Sequence, residues 1–242
     1  MQNTAKQILE LIDLTSLNDS DNKNTILSLC NKSITPIGNV AAVCIYSHWI
    51  TTVREFFAQK MLNLPIATVV NFPHGSIDLD RASLETDLAL ERGADEIDLV
   101  LPYHALIDGD TKIAKSMVDK VRRICGNKIL KVIIESGELS KHHLIETASL
   151  IAIDSGADFL KTSTGKVKVN ATLEAAEIML NTIKSNNKKC GFKASGGIKT
   201  YGDAKKYLGL AVKIMGEDWV SRNTFRFGAS SLVDDVLRYI TI

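Results

Sequence analysis

The sequence has little of what would hold together a disulfide scaffold or bind a polyanion. Its four cysteines, Cys30, Cys44, Cys125 and Cys190, are scattered, with no C-x-x-C pair and no metal-ligand spacing. They read as small buried hydrophobes of a reduced, cytoplasmic protein. Neither charge sign dominates: 29 Lys+Arg face 28 Asp+Glu, a net charge of +1. Nucleic acid and acidic membranes are therefore not expected partners. The longest apolar run, Val40 to Tyr46, is too short to span a bilayer, and MQNTAKQILELIDLT lacks a signal-peptide pattern. The five histidines form no H-E-x-x-H pair. His142 and His143 are adjacent, which on a helix turns them about 100° apart. No metal site is expected.

Proline is also scarce, with 4 in 242 residues, and no Pro/Gly/Ser-rich linker divides the chain. What recurs instead is a short run rich in Val, Ile, Leu and Phe. Eight strands are expected: Leu11–Thr15, Val40–Tyr46, Ile66–Asn71, Glu96–Leu101, Ile129–Glu135, Asp158–Thr162, Gly191–Ser195 and Phe225–Gly228. Their starts lie 26 to 34 residues apart, the length of a strand plus a crossover helix. Ser83–Arg92 and Ala171–Ile183 have helical apolar spacing, and Gly93 and Gly156 follow helical stretches as C-terminal stops. An open doubly wound sheet would need a Gly-rich turn after its first strand, and IDLTSLN has no glycine. The pattern predicts a single (β/α)8 TIM barrel, an α/β domain covering residues 1–242.

In a barrel, alternate strand residues face the helices and the lumen. The helix-facing set must be apolar, which fixes the parity of each strand. In EIDLVL, Ile97, Leu99 and Leu101 face out, turning Glu96 and Asp98 inward. The same reasoning sends Lys131, Ile133 and Glu135 inward, Lys161 with Phe159, Lys193, and Asp13 with Thr15. Barrel interiors are normally filled by Val, Ile and Leu. Buried charges must pair or serve a polar site. A mutually satisfied ion network is one explanation. Three lysines on adjacent strands favour a second, a reactive amine.

An ordinary lysine, with a pKa of about 10.4, is well under 0.1% neutral at pH 7. Desolvation and a neighbouring ammonium both lower that pKa. Lys161 and Lys193, on adjacent strands, can each act as that neighbour for the other. The chemistry this permits is Schiff-base formation, with the iminium as electron sink for carbon–carbon bond making or breaking. Residue parity alone does not choose between the two lysines.

Three glycine-bearing turns follow the last three strands: Ser163-Thr164-Gly165-Lys166, Ser195-Gly196-Gly197-Ile198-Lys199 and Gly228-Ala229-Ser230-Ser231. A lone glycine turn is most simply a tight turn. Two beside a lysine cluster suggest a phosphorylated substrate. Cys44 reads as a packing residue near the top of the second strand, Phe72-Pro73-His74-Gly75 as a loop, and Phe225 and Phe227 as core.

The stretches DLTSL (13–17), VCIY (43–46), EIDLVLPYHAL (96–106), KVIIESGEL (131–139), FLKTSTGK (159–166), GFKASGGIKT (191–200) and RFGASSL (226–232) run in order along nearly the whole chain. In them the sequence resembles the deoxyribose-phosphate aldolase family of class I aldolases. The resemblance implies that Lys161 forms the Schiff base, that Asp98 and Lys193 support proton transfer, and that Lys193 tunes Lys161. It implies that Asp13, Thr15 and Lys131 line the site with Cys44 nearby. Gly165, Lys166, Gly196, Gly197, Ser230 and Ser231 would hold the phosphate, largely through backbone amides. It further implies cleavage of 2-deoxy-D-ribose 5-phosphate to acetaldehyde and D-glyceraldehyde 3-phosphate with no metal or organic cofactor. Members are often homodimers, although no interface stripe stands out here. The match departs in one respect. Some members end in a tyrosine that reaches the active site, whereas this chain runs to LRYITI, with Tyr239 expected inside the closing helix. The alternatives are another phosphosugar barrel enzyme, transaldolase-like or an isomerase, and a non-catalytic phosphosugar-binding protein.

Overall fold

The computed structural model describes residues 2–186 and 189–240. Eight parallel strands close on themselves: β1 Ile12–Thr15, β2 Ala42–Ile45, β3 Ile66–Val70, β4 Glu96–Val100, β5 Ile129–Ile133, β6 Phe159–Lys161, β7 Gly191–Ser195 and β8 Phe225–Ala229. Each strand pairs with its sequence neighbours, and β1 joins β8 through Ile12–Phe227, Asp13–Gly228 and Leu14–Ala229. Helices follow the strands and cover the outside, which makes the fold a (β/α)8 TIM barrel. The strand limits fall within two residues of the sequence expectation. Among the described residues no helix is long and apolar enough to cross a membrane.

The outward strand residues, such as Leu14, Ile97, Leu130, Leu160, Phe192 and Phe227, are buried in one continuous core with the helices. Side-chain caps set the helix starts. Asn22 and Thr200 form capping boxes on Lys23–Lys32 and Tyr201–Met215, while Asp78 and Thr172 accept backbone N–H groups of Leu79–Glu91 and Leu173–Ser185. The Asp78 cap begins its helix four residues ahead of the periodic stretch expected at Ser83.

At the bottom of the barrel an aspartate just before a strand ties that strand to its neighbour. Asp95 accepts the N–H of Ile66 (3.1 Å) and a bond from Arg54 (2.5 Å), and Asp158 accepts from Leu130 (2.8 Å) and Arg122 (2.7 Å). These bonds fix the register from which all lumen side chains project.

The strand–helix repeat does not account for every element. A helix, Gln2–Glu10, precedes β1 and packs on Tyr201–Met215 and Leu232–Leu237 through Ala5, Ile8 and Leu9. Ile34–Thr35 and Gly38–Asn39 form a small antiparallel hairpin. Tyr239 also differs from expectation, because it lies just past the closing helix Leu232–Leu237. That helix ends in a tighter turn, with Arg238, Tyr239 and Ile240 each donating to a carbonyl three residues back. Tyr239 is 43% exposed and stacks on Tyr201 with ring centroids 4.3 Å apart.

The floor of the lumen is tightly filled. A Cβ at Gly191 would stand 2.5 Å from the Phe159 ring and 2.8 Å from the backbone oxygen of Thr224. Neither neighbour has room to withdraw in a close-packed interior. Gly191→Ala is therefore expected to destabilise the protein by about 1–3 kcal/mol. Thermal unfolding should show a lowered Tm, and an unchanged Tm would mean that the floor has slack.

Candidate active site

Parity along the strands turns inward the seven side chains of one ion-paired cluster, all buried. Asp98, on β4, lies at the centre. Its Oδ1 accepts from Lys131 Nζ at 2.7 Å, and its Oδ2 accepts from Lys161 at 2.7 Å and Lys193 at 2.9 Å. Asp13, on β1, gives Oδ2 to Lys193 at 2.5 Å and Oδ1 to Arg226 at 2.5 Å. Glu96 takes Lys131 at 2.5 Å and Arg226 at 3.2 Å. Lys161 and Lys193 are directly paired in the β6–β7 register. Three carboxylates and four cations thus form one connected cluster, and isolated buried charges are avoided.

The cluster treats its members differently. Burial alone would raise the carboxyl of Asp98, but Lys131, Lys161 and Lys193 outweigh it and hold the group well below the usual carboxylate range. Asp13 is likewise held down against burial by Lys193, Arg226 and Lys131. Burial works against the charged form of Lys193 too, yet Asp13 and Asp98 hold its pKa above the ordinary lysine value. Lys131 is raised for the same reason by Asp98, Glu96 and Asp13. Lys161 shifts the other way. Burial lowers it, its one carboxylate partner Asp98 only partly opposes this, and Lys193 lowers it further. Lys161 also keeps 2% of its side chain exposed, whereas Lys131 and Lys193 keep none. It is the lysine most easily neutral and closest to the outside.

Above the cluster, at the C-terminal ends of the strands, opens a cavity of about 230 Å³. Thr15, Ser16, Leu17 and Asn18 border it from β1, Thr164, Gly165 and Lys166 from β6, Ser195 to Lys199 from β7, and Gly228, Ala229 and Ser230 from β8. Gly196 (φ +89°) and Gly197 (φ +83°) have left-handed backbone, and a Cβ at Gly196 would meet Asn170 at 2.6–2.8 Å. Only glycine lets this turn lie flat against the β6 loop. Thr162 fastens the two strands together, its Oγ1 donating to the Ser195 carbonyl (3.0 Å) and accepting the Ser195 N–H (2.9 Å). Lys166 Nζ donates to the Leu17 carbonyl at 2.6 Å across the mouth.

The other side of the lumen is apolar. Cys44 packs with Leu17, Ala67 and Val69, and Tyr46 and Phe72 close over them. Burial pushes the Cys44 thiol up, so it stays protonated and packs as a small hydrophobe. Glu135, at the end of β5, is buried with a left-handed backbone (φ +53°), and its carboxylate accepts the Thr164 N–H at 3.2 and 3.3 Å. Burial raises its pKa.

The structure thus brings Asp13, Asp98, Lys131, Lys161 and Lys193 into one cluster, with Thr15 above it at the cavity. Gly165, Lys166, Gly196, Gly197 and Ser230 line that cavity. Ser231 does not; it is exposed, directly before Leu232–Leu237. Sequence reasoning missed Arg226. The same parity rule applied to FRFG turns Arg226 inward between Phe225 and Phe227, but the two aromatics drew that segment into the core. It also turned Glu96 inward without giving it a place in the site.

The DeoC/LacD family aldolase model matches residues 7–236. A solved structure assigned as a deoxyribose-phosphate aldolase from Coccidioides immitis is 27% identical, covers 97% of this chain and 86% of its own, and superposes with a TM-score of 0.85. One assigned likewise from Toxoplasma gondii, in its apo form, is 24% identical over 98% and 96%, with a TM-score of 0.89. The deoxyribose phosphate aldolase of Aeropyrum pernix, described as a tetramer, is 21% identical over 97% and 91%, with a TM-score of 0.80. The last two likenesses establish the barrel alone. The match over residues 7–236 goes further: this chain belongs to the DeoC/LacD aldolase family.

Proposed function

We propose that the chain is a single cytoplasmic aldolase domain that reversibly cleaves 2-deoxy-D-ribose 5-phosphate to acetaldehyde and D-glyceraldehyde 3-phosphate. The observation that carries this reading is Lys161, the one lumen lysine with a lowered pKa and the one with any exposure, at the end of the strand whose following loop borders the glycine-lined cavity. A lysine so placed is a nucleophile toward carbonyls.

In the proposed reaction, Lys161 Nζ attacks the C1 aldehyde of the opened sugar, and loss of water gives an iminium. Asp98, acting through a water, takes the proton of the C3 hydroxyl. The C2–C3 bond then breaks: its electron pair forms the enamine and neutralises the iminium, and the departing half leaves as the aldehyde. Reprotonation of the enamine carbon and hydrolysis of the imine release acetaldehyde and the free amine. Asp98 Oδ2 touches both Lys161 and Lys193, so a proton can pass between the two nitrogens through one oxygen. General acid–base assistance of this kind contributes about 10²–10⁴-fold. Thr15, Asp13, Lys131 and Cys44 would shape the pocket floor and wall. Gly165, Lys166, Gly196, Gly197 and Ser230 would grip the phosphate, with Lys199 adding charge at the cavity rim. Ser231, at the start of Leu232–Leu237 and next to Ser230, would add its backbone to this grip.

Borohydride reduction in the presence of deoxyribose phosphate, followed by peptide mass mapping, is expected to place the adduct on Lys161. An adduct on Lys193, or none, would overturn the assignment. Lys161→Ala should reduce kcat/KM by roughly 10⁴-fold or more while the protein stays folded.

Gly196→Ala pushes the turn away from Asn170. It should raise KM for the phosphorylated sugar by about 10-fold or more, yet leave the reaction of unphosphorylated deoxyribose nearly unchanged. Equal losses on both sugars would place the phosphate elsewhere.

The pH profile follows from the sign of the Lys161 shift. Only the neutral amine attacks, so kcat/KM should rise with pH through the Lys161 pKa. A lowered pKa puts that rising limb below the ordinary lysine range of about 10.4. A limb that reached its plateau only above that range would show Lys161 to be an ordinary ammonium.

A further inference from the structure

Around Lys161 stand Asp98 on β4, Lys193 on β7, Cys44 on β2 and Glu135 just past the end of β5, with Lys131 and Asp13 reached through Asp98 and Lys193. Arg226 has no place in that inner ring. It sits at the floor, and each part of its guanidinium is held: Nε donates to the Arg222 carbonyl at 2.5 Å, one terminal nitrogen to Asp13 at 2.5 Å and the other to Glu96 at 3.2 Å. Its flat face lies 5.6 Å from the Phe159 ring centroid. An arginine does not lose its proton in a protein. Arg226 therefore brings a permanent positive charge to a cluster otherwise made of three lysines and three carboxylates.

Those three lysines and three carboxylates could all be ionised and balanced. With Arg226 added, the bonded cluster has one cation more than it has carboxylates, and Glu135, the further buried carboxyl beside it, is pushed by burial toward its neutral form and accepts the Thr164 N–H. The surplus falls on the member that can neutralise at least cost. Arg226 engages one oxygen of Asp13 and one of Glu96, while the other oxygen of each is held by Lys193 and Lys131, so neither carboxylate is left to serve Lys161. Lys131 and Lys193 also share Asp98, which leaves Lys161 with a third share of that single carboxylate and no other. We propose that Arg226, with Glu96 as its counter-ion, is a positioning residue that keeps Lys161 in the amine form by making the buried cluster one positive charge in excess.

The inference rests on the Schiff-base reading for its purpose, but not for its test. Trace acetylation of the folded full-length protein with acetic anhydride across a pH series, quantified on the Lys161 peptide, titrates that amine without any sugar. Arg226→Met restores balance and should raise the Lys161 titration by about one pH unit, the effect of one unit charge nearby at an interior dielectric of ~20. Glu96→Gln makes the excess larger and should lower it by a similar amount. Arg226→Met combined with Glu96→Gln returns the excess to one and should restore the original titration, as should Arg226→Lys. A merely structural role would move the two single variants in the same direction or not at all, and either result overturns the proposal. A double variant that stays with Arg226→Met does so as well. Should Arg226→Met fail to fold, Glu96→Gln alone still decides the sign. If Lys161 titrates as stated but traps no carbonyl with borohydride, the aldolase reading fails while the charge excess stands.

Discussion

Asp98 joins the lumen into a single unit. A carboxylate that accepts from three lysines in a buried barrel is tolerable only because each of its oxygens is bonded and two of the lysines have a second carboxylate to lean on. Lys131 leans on Glu96 and Lys193 on Asp13, and those two are joined in turn by Arg226. The strands that carry these groups lie on the side of the barrel running from β4 through β8 to β1. Their register is set at the bottom by Asp95 and Asp158 and at the floor by the contact of Gly191 with Phe159. A shift of one residue in any of these strands would turn charges into the apolar helix layer.

The remaining strands, β2 and β3, give the lumen a different character. Cys44, Ala67 and Val69 present a small, dry wall, which Leu17, Tyr46 and Phe72 complete. The lumen therefore has a charged side and an apolar side, and the cavity at its mouth a rim of glycines. In the proposed reaction the two-carbon fragment that ends on Lys161 is nearly apolar, while the departing fragment carries a hydroxyl and a phosphate. A lumen divided in this way suits a substrate whose two ends differ in polarity.

Much of this was legible from the residue order. Alternation along short strands places Asp13, Asp98, Lys131, Lys161 and Lys193 inside, because the helix-facing partners must be apolar whatever the chemistry. The same logic reaches Arg226, but two phenylalanines around one arginine look like core, and the distinction depends on which face of β8 meets the helices. The unequal behaviour of the lysines was not legible. It depends on oxygen–nitrogen distances of a few ångströms between strands far apart in sequence, and alternation does not encode distance. The extent of the glycine turns was readable only in part. Ser230 borders the cavity while its neighbour Ser231 stands at the start of a helix, a difference of one residue that composition cannot resolve.

β6 has only three residues, and Lys161 is the last of them. The next side chain, Thr162, is bonded in both directions to Ser195, directly before the two glycines of the β7 turn. Lysine and glycine turn are in this way parts of one rigid gauge whose length is set by a single hydroxyl. Fitting a longer or shorter sugar between the amine and the turn would require resetting that gauge. Widening the cavity wall alone would leave the span unchanged.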